Sequence, residues 1–357
     1  MIGGYGLLFL PALGWLLWRR FTTRGDALPA VAAFALITLF VGLRHGIGGD
    51  WHAYWLMLER SQSHGAATAL LISDPAYMAL NIAAGRLGLN LGAVNLVCAA
   101  FLAGGTVAFV RRQAYPGLAL FTAVPILLVV VGMTATRQSA AVGLELLALA
   151  WLFDGRRRAA AAALGAAFLF HWSAAILLPL AVLANAPARW RRPLLFACAG
   201  LGGLAVVAIW FRGAGDASSA GALFRLAPTI VAAVIAGVAL TGTRGSLQGA
   251  DARLAALYLI GIAMFCLATW PASSLAADRF GYYTIALQML AFPWLVARME
   301  NRRRRLAVAG MVGLAFFGLF VIWFSVSSHT RCMVPYRSYL QQPHLLIGWE
   351  GPRPLCA

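Results

Sequence analysis

Residues 111–158 read RRQAYPGLALFTAVPILLVVVGMTATRQSAAVGLELLALAWLFDGRRR, and this stretch decides the fold. It holds two apolar runs, 115–133 and 138–154, each close to the roughly 20 residues a helix needs to cross a hydrocarbon core. Arginine clusters close both ends, at Arg111 and Arg112 and at Arg156, Arg157 and Arg158. Clustered arginine beside a span marks the cytoplasmic side. Both ends then lie in the cytoplasm, and the pair reads as a helical hairpin. Its turn, TATRQ at 134–138, falls at the outer face with one arginine, Arg137, placed against the orientation bias.

The rest of the chain repeats this grammar. Of 357 residues, 62% are hydrophobic and 11% charged, where soluble domains carry about one quarter charged residues. Such a chain cannot cover itself with polar surface, so lipid is its solvent. No long polar interval interrupts the apolar runs, which predicts an all-α, polytopic transmembrane helix bundle forming a single integral membrane domain over 1–357. The net charge of +17 comes from 28 basic residues, every one arginine. Most sit in short clusters between apolar runs, and no basic stripe lies beside exposed aromatics as single-strand binding would need. Nucleic acid is therefore not a predicted partner. Arg19 and Arg20 follow the first apolar run instead of preceding it. A signal peptide has the reverse order, so 3–18 reads as a retained span with its N-terminus outside.

With the clusters as cytoplasmic markers, ten full spans are expected: 3–18, 27–43, 91–110, 115–133, 138–154, 194–211, 223–241, 254–270, 279–297 and 306–326. Residues 67–88 contain Asp74, Pro75 and Arg86 and read as a re-entrant or interfacial helix. Residues 159–186 fit either one long helix or a broken hairpin turning near Phe170-His171-Trp172-Ser173. The hairpin keeps Arg189, Arg191 and Arg192 inside and puts His171 at a break, where broken helices line cavities; it is the preferred reading. The outer face then holds a Gly-rich loop, 44–66, and the tail, 327–357. Cys332 and Cys356 share that tail, and a disulfide between them is permitted but not required. No Cys/His spacing resembles a zinc site, and the outer acidic residues are scattered.

Candidate chemistry gathers at that outer face. Arg44, Gly46, Gly48, Gly49, Asp50, Trp51 and Tyr54 share the Gly-rich loop. The glycines allow close approach of backbone to a ligand, Arg44 offers a fork for phosphate, Asp50 a proton acceptor, and Trp51 and Tyr54 faces for a sugar ring. The same residues equally fit an aromatic belt with Asp50 as a helix cap. Arg137, followed by Gln138 at a helix start, fits a diphosphate site or a snorkelling anchor. His171 fits proton transfer or hydrogen-bonded packing at a break. Asp278-Arg279 with Tyr282 and Tyr283 fits an anion site or a local ion pair with belt tyrosines.

These residues together resemble the EpsG family of Wzy-like polysaccharide polymerases. Arg44 to Tyr54, RHGIGGDWHAY, resembles its R-x-G-x-G-x-D-[YW]-x-x-Y signature, and Asp74-Pro75-Ala76-Tyr77 its following Asp-Pro-x-Tyr. Met133 to Gly143 resembles M-x-x-[ST]-R-Q-x-x-A-x-G, and Phe170-His171-Trp172-Ser173-Ala174 resembles F-H-[KW]-S-A. Asp278-Arg279 with Tyr283, and Pro335-Tyr336-Arg337, resemble later family positions. Trp172 stands where Lys is commoner in that family, and Gly49 stands where Thr is frequent.

The resemblance implies a multi-pass protein of the bacterial inner membrane that joins oligosaccharide units carried on undecaprenyl diphosphate, at the periplasmic face. The implied reaction is glycosyl transfer without metal or other cofactor. Asp50 or His171 would be the base. Arg137 and Arg279 would hold the diphosphate. Arg44, Trp51, Tyr54, Asp74, Tyr77, Gln138, Tyr283, Tyr336 and Arg337 would meet substrate. Expected partners are the lipid-linked glycan, membrane lipid, and a flippase and chain-length regulator of the same pathway. The competing readings are a flippase or transporter of lipid-linked sugars, for which no convincing internal repeat is found, and a ligase of the same chemistry.

Overall fold

The computed structural model describes residues 4–22, 25–212, 219, 221–241 and 249–341. Among the described residues the regular structure is helical, apart from one isolated antiparallel bridge between Arg44 and Ser338. That is the expected solution for a backbone that must satisfy its own amides in lipid. The fold is an all-α polytopic bundle.

A 3-10 turn, Tyr5–Phe9, leads into α1, Leu10–Phe21, followed by α2, Ala27–Gly42. Next come α3, Trp51–Ser63, the short α4, Ala66–Leu70, and α5, Pro75–Arg86. The chain continues through α6, Leu91–Val110, α7, Pro116–Thr134, α8, Thr136–Phe153, α9, Arg157–Phe170, and α10, Trp172–Asn185. It closes with α11, Ala188–Arg212, α12, Ala222–Thr241, α13, Ala250–Thr269, α14, Ser274–Ala297, and α15, Arg302–Val326.

Seven of these, α6, α7 and α11 to α15, are long and apolar enough to cross a membrane. The other expected spans, α1, α2 and α8, fall short of that standard by length or polarity; α2 has 16 residues, and α8 carries Arg137 and Glu145. α5 has 12 residues. At 1.5 Å per residue it reaches about 18 Å, too short to span. α7 is walled in by the bundle, with 94% of its apolar window buried, and residues Val124–Val131 are π-helical around Pro125, which has no N–H to donate. α6 and α8 touch backbone to backbone: a Cβ on Gly105 would lie 1.7 Å from the Gly143 carbonyl oxygen.

The expected loop 44–66 is a loop only as far as Asp50. From Trp51 the chain is α3, whose buried face is Trp51, Tyr54, Leu58 and Ser61. The helical spacing of those four positions explains the correction: apolar side chains on one stripe drive a polar segment to coil and pack.

The broken hairpin is present. His171 is extended, φ −156° and ψ 121°, between α9 and α10. Asn185, at the end of α10, donates from Nδ2 to the Arg157 carbonyl at the start of α9, 3.3 Å. Arg157 and Arg191 also converge on one carboxylate, Asp251, at 2.7 and 4.0 Å. The same end of the bundle holds the ion pairs Arg19–Asp26 and Arg112–Asp154. α8 separates the two faces, with Arg137 at its start and Asp154 just past its end. Of the tail bridge, Cys356 lies outside the described residues.

Reporter fusions placed after Arg158 and after Arg192 should therefore report the same compartment. Opposite compartments would replace the hairpin with a single long span.

Candidate functional site

The face opposite the ion-paired clusters is assembled from segments far apart in sequence. Asp74 is its meeting point. Its side chain is 8% exposed. Oδ2 accepts from Arg137 Nη1 at 2.6 Å, and Oδ1 accepts from the Trp172 backbone N–H at 3.0 Å. Ser73 also accepts from Arg137, and the Tyr54 ring lies 5.8 Å beneath the guanidinium. One carboxylate thus binds the start of α5, the start of α8 and the turn of the hairpin.

His171 heads that turn. Its Nδ1 accepts from the Ser173 backbone N–H at 3.2 Å and contacts Ser173 Oγ at 2.6 Å. This fixes the tautomer: with Nδ1 accepting, the neutral ring carries its hydrogen on Nε2 and presents a donor. Ser173 Oγ reaches Tyr283 OH at 3.0 Å, and Gln138 donates to the Arg279 carbonyl oxygen. Gln138 and Tyr283 are both buried, so in this structure they set the positions of His171 and Arg279 instead of meeting substrate.

Arg279 is free for other work because Asp278 is taken. Asp278 pairs with Arg225, 2.6 Å from Nε to Oδ1, and accepts from Ser219 and Tyr282. Of the two alternatives for Asp278-Arg279, the local ion pair does not form: adjacent residues on a helix point away from each other. Arg279 is exposed and makes no ion pair among the described residues. Arg225 lies 53 positions from Asp278, and no local pattern links them.

Asp50 stands immediately before α3, at its N-cap position. Its carboxylate is exposed to solvent at the site face. The protein packed around it raises its pKa above the usual carboxylate value, against the opposing pull of Arg137, Arg279 and His329. His171 also lies within electrostatic range of Arg137 and Arg279. Asp50 and His171 thus each lie within electrostatic range of both Arg137 and Arg279.

Several expected substrate contacts do not reach the surface. Arg44 is 1% exposed and donates to the Val41 carbonyl and to Thr136 Oγ1, both at 2.6 Å. Thr136 in turn donates to Asn95. Arg44 ties α2 to α6 and α8, and its Nε has no partner. Trp51, Tyr54 and Tyr77 are 2%, 4% and 0% exposed. They cannot offer a sugar a free face, because the helical stripe that makes α3 amphipathic turns the first two inward. Gly48 has φ +105°, and a Cβ there would lie 2.5 Å from the Met133 carbonyl oxygen. The close approach that requires glycine is to α7, not to a ligand.

The tail serves as a strap. Tyr336 stacks on Phe40 and donates to its carbonyl, 2.7 Å. The Arg337 carbonyl accepts from His45 N–H, and Gly48 N–H donates to the Cys332 carbonyl, both at 3.0 Å. Tyr336 thus packs the tail on α2, and the Arg337 backbone holds the Gly-rich loop at His45. Among the described residues no group of three His, Cys, Asp or Glu side chains could hold a metal ion. A cleft of about 1130 Å³ lies away from this face, between α1, α7 and α15; its lining is apolar except for Arg19, Arg305 and a few polar atoms.

Searches of curated proteins and of solved structures each return no match. The family model described as "EpsG family" matches residues 28–338, a range that includes Asp50, Asp74, Arg137, His171 and Arg279. The chain belongs to the EpsG family, whose members are Wzy-like polysaccharide polymerases.

Proposed function

We propose that this protein polymerises oligosaccharide units carried on undecaprenyl diphosphate, at the periplasmic face of the bacterial inner membrane, by metal-independent glycosyl transfer. The reading is supported by an exposed carboxylate, Asp50, and by His171, each within electrostatic range of Arg137 and Arg279, with Asp74 holding Arg137 in place. Asp50, His171, Arg137 and Arg279 come from the ends of α8 and α14, the hairpin turn and the loop before α3.

The chemistry follows from the charges. Asp50 takes the proton of the acceptor hydroxyl. The hydroxyl oxygen attacks the anomeric carbon of the donor chain, and the bond from that carbon to the diphosphate oxygen breaks. Negative charge grows on the departing diphosphate. Arg137 is held by Asp74, so its guanidinium meets that charge without reorganising, and such preorganised donors act mainly in the transition state. Arg279, without a carboxylate partner, supplies the second guanidinium. His171 donates from Nε2, which favours Asp50 over His171 as the base. The arginine clusters of the opposite face set orientation only.

Lys preserves charge but loses the bidentate fork. In a reconstituted assay run with a chelator present, wild type should make full-length polymer. Arg137→Lys and Arg279→Lys should slow turnover roughly 10²–10³-fold, the scale of losing one such donor, at normal protein abundance. Arg303→Lys should change nothing. Wild-type polymer from both site variants would make these arginines anchors.

The base assignment has its own signature. Asp50 must be ionised to act, so activity falls as pH drops through its raised pKa. Arg279 helps hold that pKa down. In Arg279→Gln the acid limb of the pH–rate profile should therefore move to higher pH, independent of the lower maximum. An unmoved limb would assign the base elsewhere.

A further inference from the structure

We propose that Trp172 is the platform on which the sugar joined directly to the diphosphate stacks. The proposal rests on the assignment of Arg137 and Arg279 to that diphosphate.

Trp172 is 50% exposed, and its surroundings separate it from an ordinary lipid-facing aromatic. Trp190 and Trp210, exposed to a similar degree, sit on α11, whose apolar window has no buried residue. Trp172 instead sits at the hairpin turn, next to His171, where the polar groups of the site meet. Its backbone N–H is held by Asp74, the carboxylate that also holds Arg137. Its ring lies 6.2 Å from the His171 ring at 23°, and meets the Phe280 ring edge-on at 6.1 Å. Phe280 follows Arg279 in sequence. The Trp172 backbone is thus tied to the carboxylate that holds Arg137, its ring packs against His171 and Phe280, and half its surface is uncovered.

A large rigid ring in that position has little conformational entropy to lose on binding. Pyranose rings present a face of axial C–H groups, and such a face packs against an aromatic π surface; Trp offers the widest, with a polar N–H at its edge. A sugar linked to a diphosphate gripped by Arg137 lies within one ring of that guanidinium, and the half-exposed indole stands on the turn that Asp74 ties to it. The geometry also replaces the earlier expectation that Trp51 and Tyr54 would stack a sugar, since both are buried. The implied subsite favours a neutral sugar at the reducing end of the unit. An acidic one would not gain from an apolar face.

The backbone bond to Asp74 does not involve the indole, so Trp172→Ala leaves the clamp intact. Binding is measured to purified full-length protein in nanodiscs with two probes. One is undecaprenyl diphosphate alone; the other is the lipid-linked single units accumulated by a strain lacking this gene. Trp172→Ala should bind the glycosylated lipid about tenfold more weakly, a loss on the scale of one aromatic stack, and bare undecaprenyl diphosphate as wild type does. Trp172→Phe should keep most of the affinity. Arg279→Gln should weaken both probes. If Trp172→Ala binds both probes normally, the indole is an interfacial anchor. If it weakens both equally, its role is structural. Either result overturns the platform. If wild type binds neither probe, the diphosphate assignment itself falls and the platform falls with it.

Discussion

The site face depends on a buried carboxylate that serves two donors at once. Asp74 binds Arg137 with one oxygen and the Trp172 backbone with the other. Neither bond is local. The first joins α5 to α8, and the second joins α5 to the turn between α9 and α10. Removing one partner of a buried ion pair typically costs about 3–5 kcal/mol, because the remaining charge is stranded. Here the cost falls on geometry as well. Without Asp74 the guanidinium of Arg137 keeps, among the described residues, Ser73 and the Tyr54 ring, and the turn carrying His171 loses its tether.

The arginines sort by what pays their desolvation. On one face Arg19, Arg112 and Arg157 each have a carboxylate partner, and the exposed arginines at the start of α15 have water. On the other, Arg225 consumes Asp278 and Arg137 consumes Asp74. Arg44 is buried with neutral acceptors alone. Arg279 is exposed and unpaired among the described residues. A cation without a carboxylate beside it is the member of such a set most available to an anionic substrate.

Much of the fold could be read directly from sequence, because lipid imposes one rule on every span. Apolar length and arginine clusters located the helices, and the broken hairpin followed from keeping Arg189 to Arg192 on the clustered side. The site was legible as a set of residues but not as a set of roles. Asp50 and His171 each lie within electrostatic range of Arg137 and Arg279. Trp51, Tyr54 and Tyr77 were expected to face substrate and pack inward instead; for the first two, helical spacing in α3 is invisible when the segment is read as a loop. Arg44 and Gly48 carry motif positions for reasons of packing: one bridges three helices, and the other clears the Met133 carbonyl. The pairing of Arg225 with Asp278 had no local signal. The tautomer of His171 depends on a backbone bond that only the turn geometry supplies.

The most direct test is electrophoresis of surface glycan from a strain lacking this gene, complemented with wild type or with Asp74→Ala at matched protein abundance. The uncomplemented strain should show single repeat units capping the lipid, wild type should restore the polymer ladder, and Asp74→Ala should leave single units. Full-length polymer from Asp74→Ala would contradict the clamp as the basis of the site. Complete loss of surface glycan in the uncomplemented strain would contradict polymerisation and point to a flippase.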